Sequence, residues 1–196
     1  MRLRLLLLSS LLLGGCAAAA AVAAVPGVLV ERAVGYFKGQ DVSLALDMRR
    51  SLTAVQTGLE RTGLHVNVLV PVPDGYMIEF GNGELDGDIR LKRQTENLTT
   101  LTISAHRGFS QEGSVEAAMV KEVRTASEQV DEDANFEFAD YDSIYLKPDT
   151  RSEKLGWFRP GAKLNVTMVQ NTGWLKIKLP SGQAAYIKGY LKGDGA

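Results

Sequence analysis

Few residues in this sequence have the types and spacing that catalysis or metal binding requires. Cys16 is the only cysteine, and His65 and His106 have no other histidine or cysteine near them in the sequence. Zinc sites use three or four such ligands, so the sequence predicts no metal site. A Gly-x-Ser-x-Gly turn, which would present a nucleophilic serine, is also absent from the sequence. We therefore expect a protein that is not an enzyme and needs no cofactor.

One group of carboxylates follows a glycine-rich turn. Glu84, Asp86 and Asp88 come just after Gly81-Asn82-Gly83. The group is shorter than the calcium loop of an EF-hand, and no Lys-Ser or Lys-Thr follows the glycines as in a phosphate-binding loop. Because Asn-Gly is typical of a β-hairpin, we interpret these residues as a solvated turn between two strands.

The first fifteen residues have the pattern of a secretory signal peptide. Arg2 and Arg4 precede an apolar segment, Leu5 to Leu13, that is interrupted only by two serines. A helix needs about 20 apolar residues to cross the roughly 30 Å apolar layer of a bilayer, so this segment is too short to span it. The pattern predicts that residues 1–15 are removed during export.

The next residues, Leu13-Gly14-Gly15-Cys16, resemble the lipobox of bacterial lipoproteins. The resemblance implies cleavage before Cys16 and acylation of this cysteine, for example with palmitate, which would anchor the protein to a membrane of the cell envelope. Because Ala17 is not aspartate, it also implies the inner leaflet of the outer membrane in a host that has one. The alternative is that Cys16 is an ordinary buried cysteine. An internal disulfide is excluded, since the sequence has no second cysteine.

Charge is distributed unevenly along the chain. Loss of Arg2 and Arg4 changes the formal net charge from −1 to −3, and residues 136–196 carry +3 against about −6 for residues 16–135. A weakly acidic chain of this kind predicts no nucleic-acid partner. The difference between the halves indicates two domains. The predicted divisions are an Ala-rich tether at 16–34, a first domain at 35–130, an acidic linker at 131–138 and a second domain at 139–192.

Two amphipathic helices are predicted in the first domain. After a strand from Tyr36 to Val42, a helix is expected from Leu44 to Thr62, with Ser43 as its N-cap and Gly63 as its stop signal. Its apolar residues recur every three or four positions: Leu44, Met48, Leu52, Val55 and Leu59. The second helix is expected from Gln111 to Val130. Its buried side is formed by Val115, Met119, Val123, Ala126 and Val130.

Between the helices, apolar and polar residues alternate as in half-buried strands. The first strand has Leu64, Val66, Val68 and Val70 on one side, and further strands contain Tyr76 to Phe80, Ile89 to Leu91 and Leu101 to Ala105. The order β-α-β-β-β-β-α predicts an α+β sandwich with two helices on one face of an antiparallel sheet. Together with the lipobox, this order resembles a family of small bacterial lipoproteins of unknown function, over about Gly35 to Val130.

From residue 139 onward, short predicted strands alternate with Gly and Pro turns, as in a small all-β barrel. The predicted strands are Ser143 to Leu146, Lys163 to Gln170, Gly173 to Leu179 and Gln183 to Ile187. Over residues 139–192 the chain resembles bacterial SH3-like domains, through Leu155-Gly156-Trp157-Phe158-Arg159-Pro160-Gly161, Gly173-Trp174-Leu175-Lys176-Ile177 and the segment from Gly182 to Leu191. Relatives usually begin with an Asn-Val-Arg-Ser-Gly-Pro-like loop, and Ile144-Tyr145-Leu146-Lys147-Pro148 lacks its arginine and glycine.

Five aromatic side chains in this region are candidates for a surface that binds a ligand or partner. They are Tyr145, Trp157, Trp174, Tyr186 and Tyr190. With nearby lysines, such rings form a shallow platform for a sugar or an extended peptide. Trp174 and Tyr186 have the alternative interpretation of barrel-core residues, whereas Trp157 and Tyr145 are the better candidates for exposure.

Two functions are consistent with these patterns. The favoured one is a non-catalytic envelope lipoprotein, anchored by lipid at Cys16, whose SH3-like module binds peptidoglycan or a protein partner. The alternative is an accessory or weakly catalytic protein of cell-wall remodelling. A wall hydrolase of the kind often joined to SH3-like domains would need a Cys-His pair or metal ligands, and the mature chain has no cysteine beyond Cys16.

Overall fold

The computed structural model describes residues 39–170 and 172–190. The predicted signal peptide, the predicted acylation site Cys16, the predicted Ala-rich tether and the start of the first predicted strand lie outside the described residues. No helix in the described part of the chain is both long and apolar enough to cross a membrane.

The first domain has the predicted order of elements, with one short strand added. Its helices are α1, Met48–Arg61, and α2, Gly113–Ser127. Its strands are β1 (Gln40–Leu44), β2 (His65–Val72), β3 (Gly75–Gly81), β4 (Asp86–Thr95), β5 (Leu98–Arg107) and the added β6 (Ser110–Gln111). All registered pairs between these strands are antiparallel, as the meander prediction requires.

The start of α1 differs from its prediction. The N-cap is Asp47, whose carboxylate accepts a hydrogen bond from the Arg50 amide at 2.8 Å, whereas Ser43 lies within β1. Leu44 is buried as expected but projects into the core from β1 rather than from the helix. The predicted stop is confirmed, because Gly63 follows the C-cap Thr62 with φ of 71°, a left-handed conformation that glycine adopts without strain.

Both helices cover one face of the sheet. The apolar faces of α1 and α2 share a single core cluster with the inward residues of β3, β4 and β5. These buried residues include Leu52, Val55, Leu59, Met119, Val123, Ile78, Phe80, Ile89, Leu91, Leu101 and Ile103. The predicted hairpin is also present, since the Asn82 side chain accepts hydrogen bonds from the Glu84 and Leu85 amides at 3.1 Å.

The second region contains β7 (Asp142–Tyr145), β8 (Lys154–Phe158), β9 (Val166–Val169), β10 (Trp174–Lys178) and β11 (Ala184–Lys188). Strand β8 is absent from the sequence-based prediction. It pairs with β7 on one side and with β2 of the first domain on the other. The two regions therefore form one antiparallel sheet in the order β1-β5-β4-β3-β2-β8-β7-β11-β10-β9. The expected closed barrel is not found in the described residues, because β8 uses one edge to join β2.

Strand β2 contributes side chains to two cores. A bulge between Val66 and Val68 in its pairing with β3 inserts Asn67 and reverses the alternation of side chains. Val66 and Leu69 consequently pack in the first core, whereas Val68 and Val70 pack in the core of the second region. The prediction that the alternate apolar residues of β2 all lie on one side of the sheet is therefore wrong after Val66.

Candidate functional site

Three of the five candidate aromatic residues project from one face of the second region. Trp174 lies opposite Lys188 and Val169, and Tyr186 lies opposite Lys176 and Tyr145. Directly opposed residues in a sheet project to the same side. We call this side, with Tyr145, Trp174, Tyr186, Lys176 and Lys188, the outer face; the opposite side carries the core residues Leu175, Ile177, Ala185 and Ile187.

Trp174 forms the base of the outer face. Its ring centroid lies 5.6 Å from that of Tyr145 at an interplanar angle of 87°. Such edge-to-face pairs add about 0.5–1.5 kcal/mol beyond the burial of their area. Trp174 is 9 % exposed, so it is buried as the alternative interpretation expects, although beneath Tyr145 and not in the second core. Tyr145 and Tyr186 are half-buried.

Tyr190 is the most exposed of the five, at 87 %. It lies between two clefts of about 380 and 440 Å³ that also share Leu175 and Gly189. The first cleft adds Met168, Val169 and Trp174 to its walls. The walls of the second cleft are apolar except for four charged residues and the glycines. The charged residues are Asp142, Arg159, Lys163 and Lys188. We call these two clefts together the Tyr190 groove.

The turn before β10 positions Tyr190. Gly173 has φ of 65°, and its carbonyl oxygen accepts a hydrogen bond from the Gly189 amide at 3.1 Å. The Tyr190 ring packs beside this turn, with its hydroxyl 3.4 Å from the position that a Cβ atom at residue 173 would take, and the positive φ is what favours glycine here. The two glycines thereby hold the base of the groove together.

Trp157 lies apart from the other four aromatic residues. Its ring centroid is 4.7 Å from that of Phe138, and Lys154 Nζ is 4.6 Å from its centroid on the ring face. Trp157 packs against the first core, and Tyr141 beside this cluster donates a hydrogen bond to the Val66 carbonyl at 3.0 Å. Trp157 is half-buried, as Tyr145 is, and it lies at the junction between the two regions instead of on the outer face.

A second, smaller cleft lies between the two regions and contains a carboxylate that the sequence patterns do not single out. Glu79 on β3 lies opposite Asp88 on β4, and together with Asp86, His106 and Lys163 they line about 230 Å³. Burial, with the charges of Asp88 and Asp86, raises the pKa of Glu79 to about 7. Burial also raises the pKa of Asp88, partly offset by His106.

The pairing of Glu79 with Asp88 is visible only from the register of the hairpin, because the turn separates the two residues in the sequence. Glu84, which the sequence groups with Asp86 and Asp88, lines a different cleft. Within the described ranges, no group of three or more His, Cys, Asp or Glu side chains is placed to hold a metal ion.

Comparison with known families accounts for the second region only. Residues 143–192 match the family described as bacterial SH3 domain, which agrees with the resemblance over residues 139–192. The match does not extend to the first domain, so its resemblance to small lipoproteins stays a prediction. No curated protein matches the chain. Residues 143–192, which carry the outer face and most of the Tyr190 groove, therefore form a bacterial SH3 domain.

Proposed function

We propose that this protein is a non-catalytic component of the bacterial cell envelope, anchored to a membrane by lipid at Cys16, and that its SH3 domain binds peptidoglycan through the Tyr190 groove. The match at residues 143–192 supports a module that binds peptidoglycan or a protein. The observation that carries the proposal is the exposed Tyr190 between two adjoining clefts.

The groove has the chemical character that the peptides of peptidoglycan require. Those peptides are short and extended, and they carry both carboxylates and amines. The groove offers apolar walls beside Arg159, Lys163 and Lys188 for carboxylates and Asp142 for an amine. An exposed aromatic ring can stack on a sugar or on an extended peptide and bury area at low entropic cost.

Binding is tested by sedimentation of the full chain, purified in mild detergent, with isolated sacculi. We expect Tyr190→Ala to weaken binding about tenfold, the effect of losing roughly 1.4 kcal/mol at an interface anchor. The matched control is Phe109→Ala, because Phe109 is a fully exposed aromatic residue of the first domain. Equal binding by Tyr190→Ala and wild type would contradict the proposed site. An equal loss in both variants would indicate nonspecific adhesion.

The lipid anchor has its own test. The sequence Leu13-Gly14-Gly15-Cys16 supports it. Intact-mass spectrometry of the membrane fraction should give a chain that begins at Cys16 with the added mass of acyl chains, and Cys16→Ala should lose both the cleavage and the added mass. An unacylated wild-type chain in the soluble fraction would overturn the anchor without affecting the sacculus result.

One observation favours the alternative of a weakly catalytic protein of wall remodelling. Glu79, with its pKa raised to about 7, faces Asp88 in a cleft beside the SH3 domain, and paired carboxylates in unequal environments can act as acid and base. Release of soluble muropeptides from sacculi, lost in Glu79→Gln, would support this function. Absence of release at both pH 5 and pH 7 would contradict it.

A further inference from the structure

Strand β9 is the last strand of the sheet and pairs only with β10 in the described part of the chain. The Gly189 amide donates to the Gly173 carbonyl, so the backbone of Gly173, and by alternation that of Leu175, faces β11. Trp174 and Lys176 then face β9, where they pair with Val169 and Thr167. The N–H and C=O groups of Val166 and Met168 therefore point away from the sheet.

This edge lacks the features that usually prevent another strand from adding to it. Edge strands are commonly protected by charged residues, proline or a bulge. The sequence of β9 is Val-Thr-Met-Val, its pairing with β10 has no register shift, and Met168 is 60 % exposed. An extended peptide could pair with the outward groups of Val166 and Met168.

The charge of the surrounding strands indicates which peptide fits. Strands β7 to β11 carry Lys154, Lys176, Lys178 and Lys188 but only one carboxylate, Asp142. Lys176 lies directly opposite Thr167, so a residue added beyond Thr167 on the outer face would lie about 10 Å from Lys176 at the Cα atoms. Extended lysine and glutamate side chains can meet across that distance. A second copy that added its own β9, Val-Thr-Met-Val, would bring no carboxylate to this edge.

We infer that β9 is a docking edge for an acidic segment of a partner protein, which adds to the sheet as an antiparallel strand. Its acidic residues lie on the outer face near Lys176, and its alternate apolar residues lie on the side of Met168. This interaction uses the backbone of β9 and goes beyond the binding of peptidoglycan in the Tyr190 groove.

The direct test uses a fluorescent octapeptide of alternating valine and glutamate and the full chain in mild detergent. Fluorescence anisotropy should show saturable binding that weakens as salt rises, because the lysines contribute through long-range attraction. A peptide of alternating valine and lysine should not bind. Lys176→Glu should weaken binding of the acidic peptide by roughly fivefold or more.

Two N-methylated peptides test the backbone pairing. In an antiparallel ladder the residue opposite Met168 exchanges both of its hydrogen bonds with Met168, and its side chain lies on the Met168 side. Methylation of the valine amides should therefore abolish binding, whereas methylation of the glutamate amides should preserve it. Equal binding by the two methylated peptides would overturn the inference.

A pair of protein variants gives an independent measurement. Met168→Pro removes an outward N–H without removing a hydrogen bond to β10, a position that proline tolerates in edge strands. It should abolish peptide binding, whereas Met168→Leu should retain it within about twofold, because main-chain pairing carries the affinity. If Met168→Pro does not fold, the two methylated peptides decide the question.

The outcomes separate this inference from the proposed function. Sedimentation with sacculi in the absence of peptide tests the Tyr190 groove. The difference between the two methylated octapeptides tests β9, because only pairing with the β9 backbone depends on which amides are methylated. If the wild-type protein binds sacculi but does not bind the octapeptide, the docking edge at β9 is ruled out and the proposed function is not. Concentration-dependent dimers that Met168→Pro abolishes, without octapeptide binding, would assign the edge to a second copy and overturn the acidic partner.

Discussion

Glu79 connects the electrostatics of the first domain to its contact with the SH3 domain. It lies on β3 opposite Asp88, and Lys163 and Leu164 of the SH3 domain complete the cleft around it. A carboxyl group in this position keeps its proton at pH values where an unfolded chain has released it. The folded state is therefore stabilised at acidic pH relative to neutral pH by this residue.

The first prediction follows from the raised pKa of Glu79. Because this pKa is 4.5 in its reference state and about 7 in the fold, stability should fall as pH rises from about 4.5 to 7 and then level off. Glu79→Gln should remove that penalty and stabilise the protein at pH 8 by roughly 1–3 kcal/mol, with little effect near pH 4.

Urea denaturation at pH 4.5, 6 and 8 measures this difference. The matched control is Glu96→Gln, which removes an exposed carboxylate in the turn between β4 and β5, outside the cleft around Glu79. If the stability of Glu79→Gln depends on pH in the same way as that of the wild type, the raised pKa of Glu79 is contradicted.

At the same scale, sequence patterns identify the aromatic residues but not their grouping. Tyr145, Trp174 and Tyr186 meet because β7 pairs with β11 at Tyr145 and Tyr186, a contact between segments separated by three other strands. Alternation within one strand gives the side on which a residue lies but gives no information about its neighbour across the sheet. The exposed Tyr190 is among the predicted residues, although the sequence favours Trp157 and Tyr145 for exposure.

The contact between the two helices depends on one glycine of α1. Gly58 is buried, and a Cβ atom there would lie 2.7 Å from Val123 Cγ2 and 2.9 Å from the Val123 Cα and amide nitrogen. Two of these three atoms belong to the backbone of α2, so a rotation of the valine side chain cannot relieve the overlap. The absence of a side chain at Gly58 permits the close approach of α1 and α2.

The second prediction is that Gly58→Ala destabilises the protein by about 1–3 kcal/mol, because overpacking at the helix contact outweighs the better helix propensity of alanine. Thermal unfolding followed by far-ultraviolet circular dichroism measures the effect. Gly113→Ala is the control, since a Cβ atom at residue 113 would meet nothing within 4 Å and the φ of this residue is not in the left-handed region. Stabilisation by Gly58→Ala would show that the helices can separate at no cost.

Helices and strands in which apolar residues recur with a regular period are predicted well from the sequence. Strands that are buried on both faces are not. The helices and the meander follow periods of three to four residues and of two residues. Strand β8 escapes prediction because Trp157 packs toward the first core and Phe158 toward the second, which leaves no polar alternation to detect. The bulge at Asn67 escapes prediction for the same reason, since apolar residues fill both sides of β2.

At the scale of the whole molecule, the two regions share structure that neither contains alone. Val68 and Val70 of β2 are part of the SH3-domain core, and β2 pairs with β8 at Val68 with Phe158 and at Leu69 with Trp157. Arg159 adds two hydrogen bonds to Asn67, from its amide to the carbonyl and from Nη2 to Oδ1, each at 2.9 Å. These contacts predict that the regions unfold together.

The third prediction uses probes that report on different regions. Both tryptophans lie in the SH3 domain and both described helices lie in the first domain. Tryptophan fluorescence and circular dichroism at 222 nm should therefore give the same denaturation midpoint if unfolding is one cooperative transition. Repeating the comparison in Trp157→Phe leaves Trp174 as the only tryptophan and excludes a signal from the junction itself. Two distinct midpoints would show that the shared strand does not couple the regions.

The shared strand also limits how this protein can exchange parts by recombination. A crossover in the acidic segment at residues 131–138 would transfer the complete matched segment at 143–192 but leave β2 behind. The transferred domain would expose the edge of β8 and the side chains that Val68 and Val70 cover. A gene fusion that preserves the fold must therefore carry the strand at His65–Val72 as well. The segment that can be transferred with its fold intact thus begins inside the first domain.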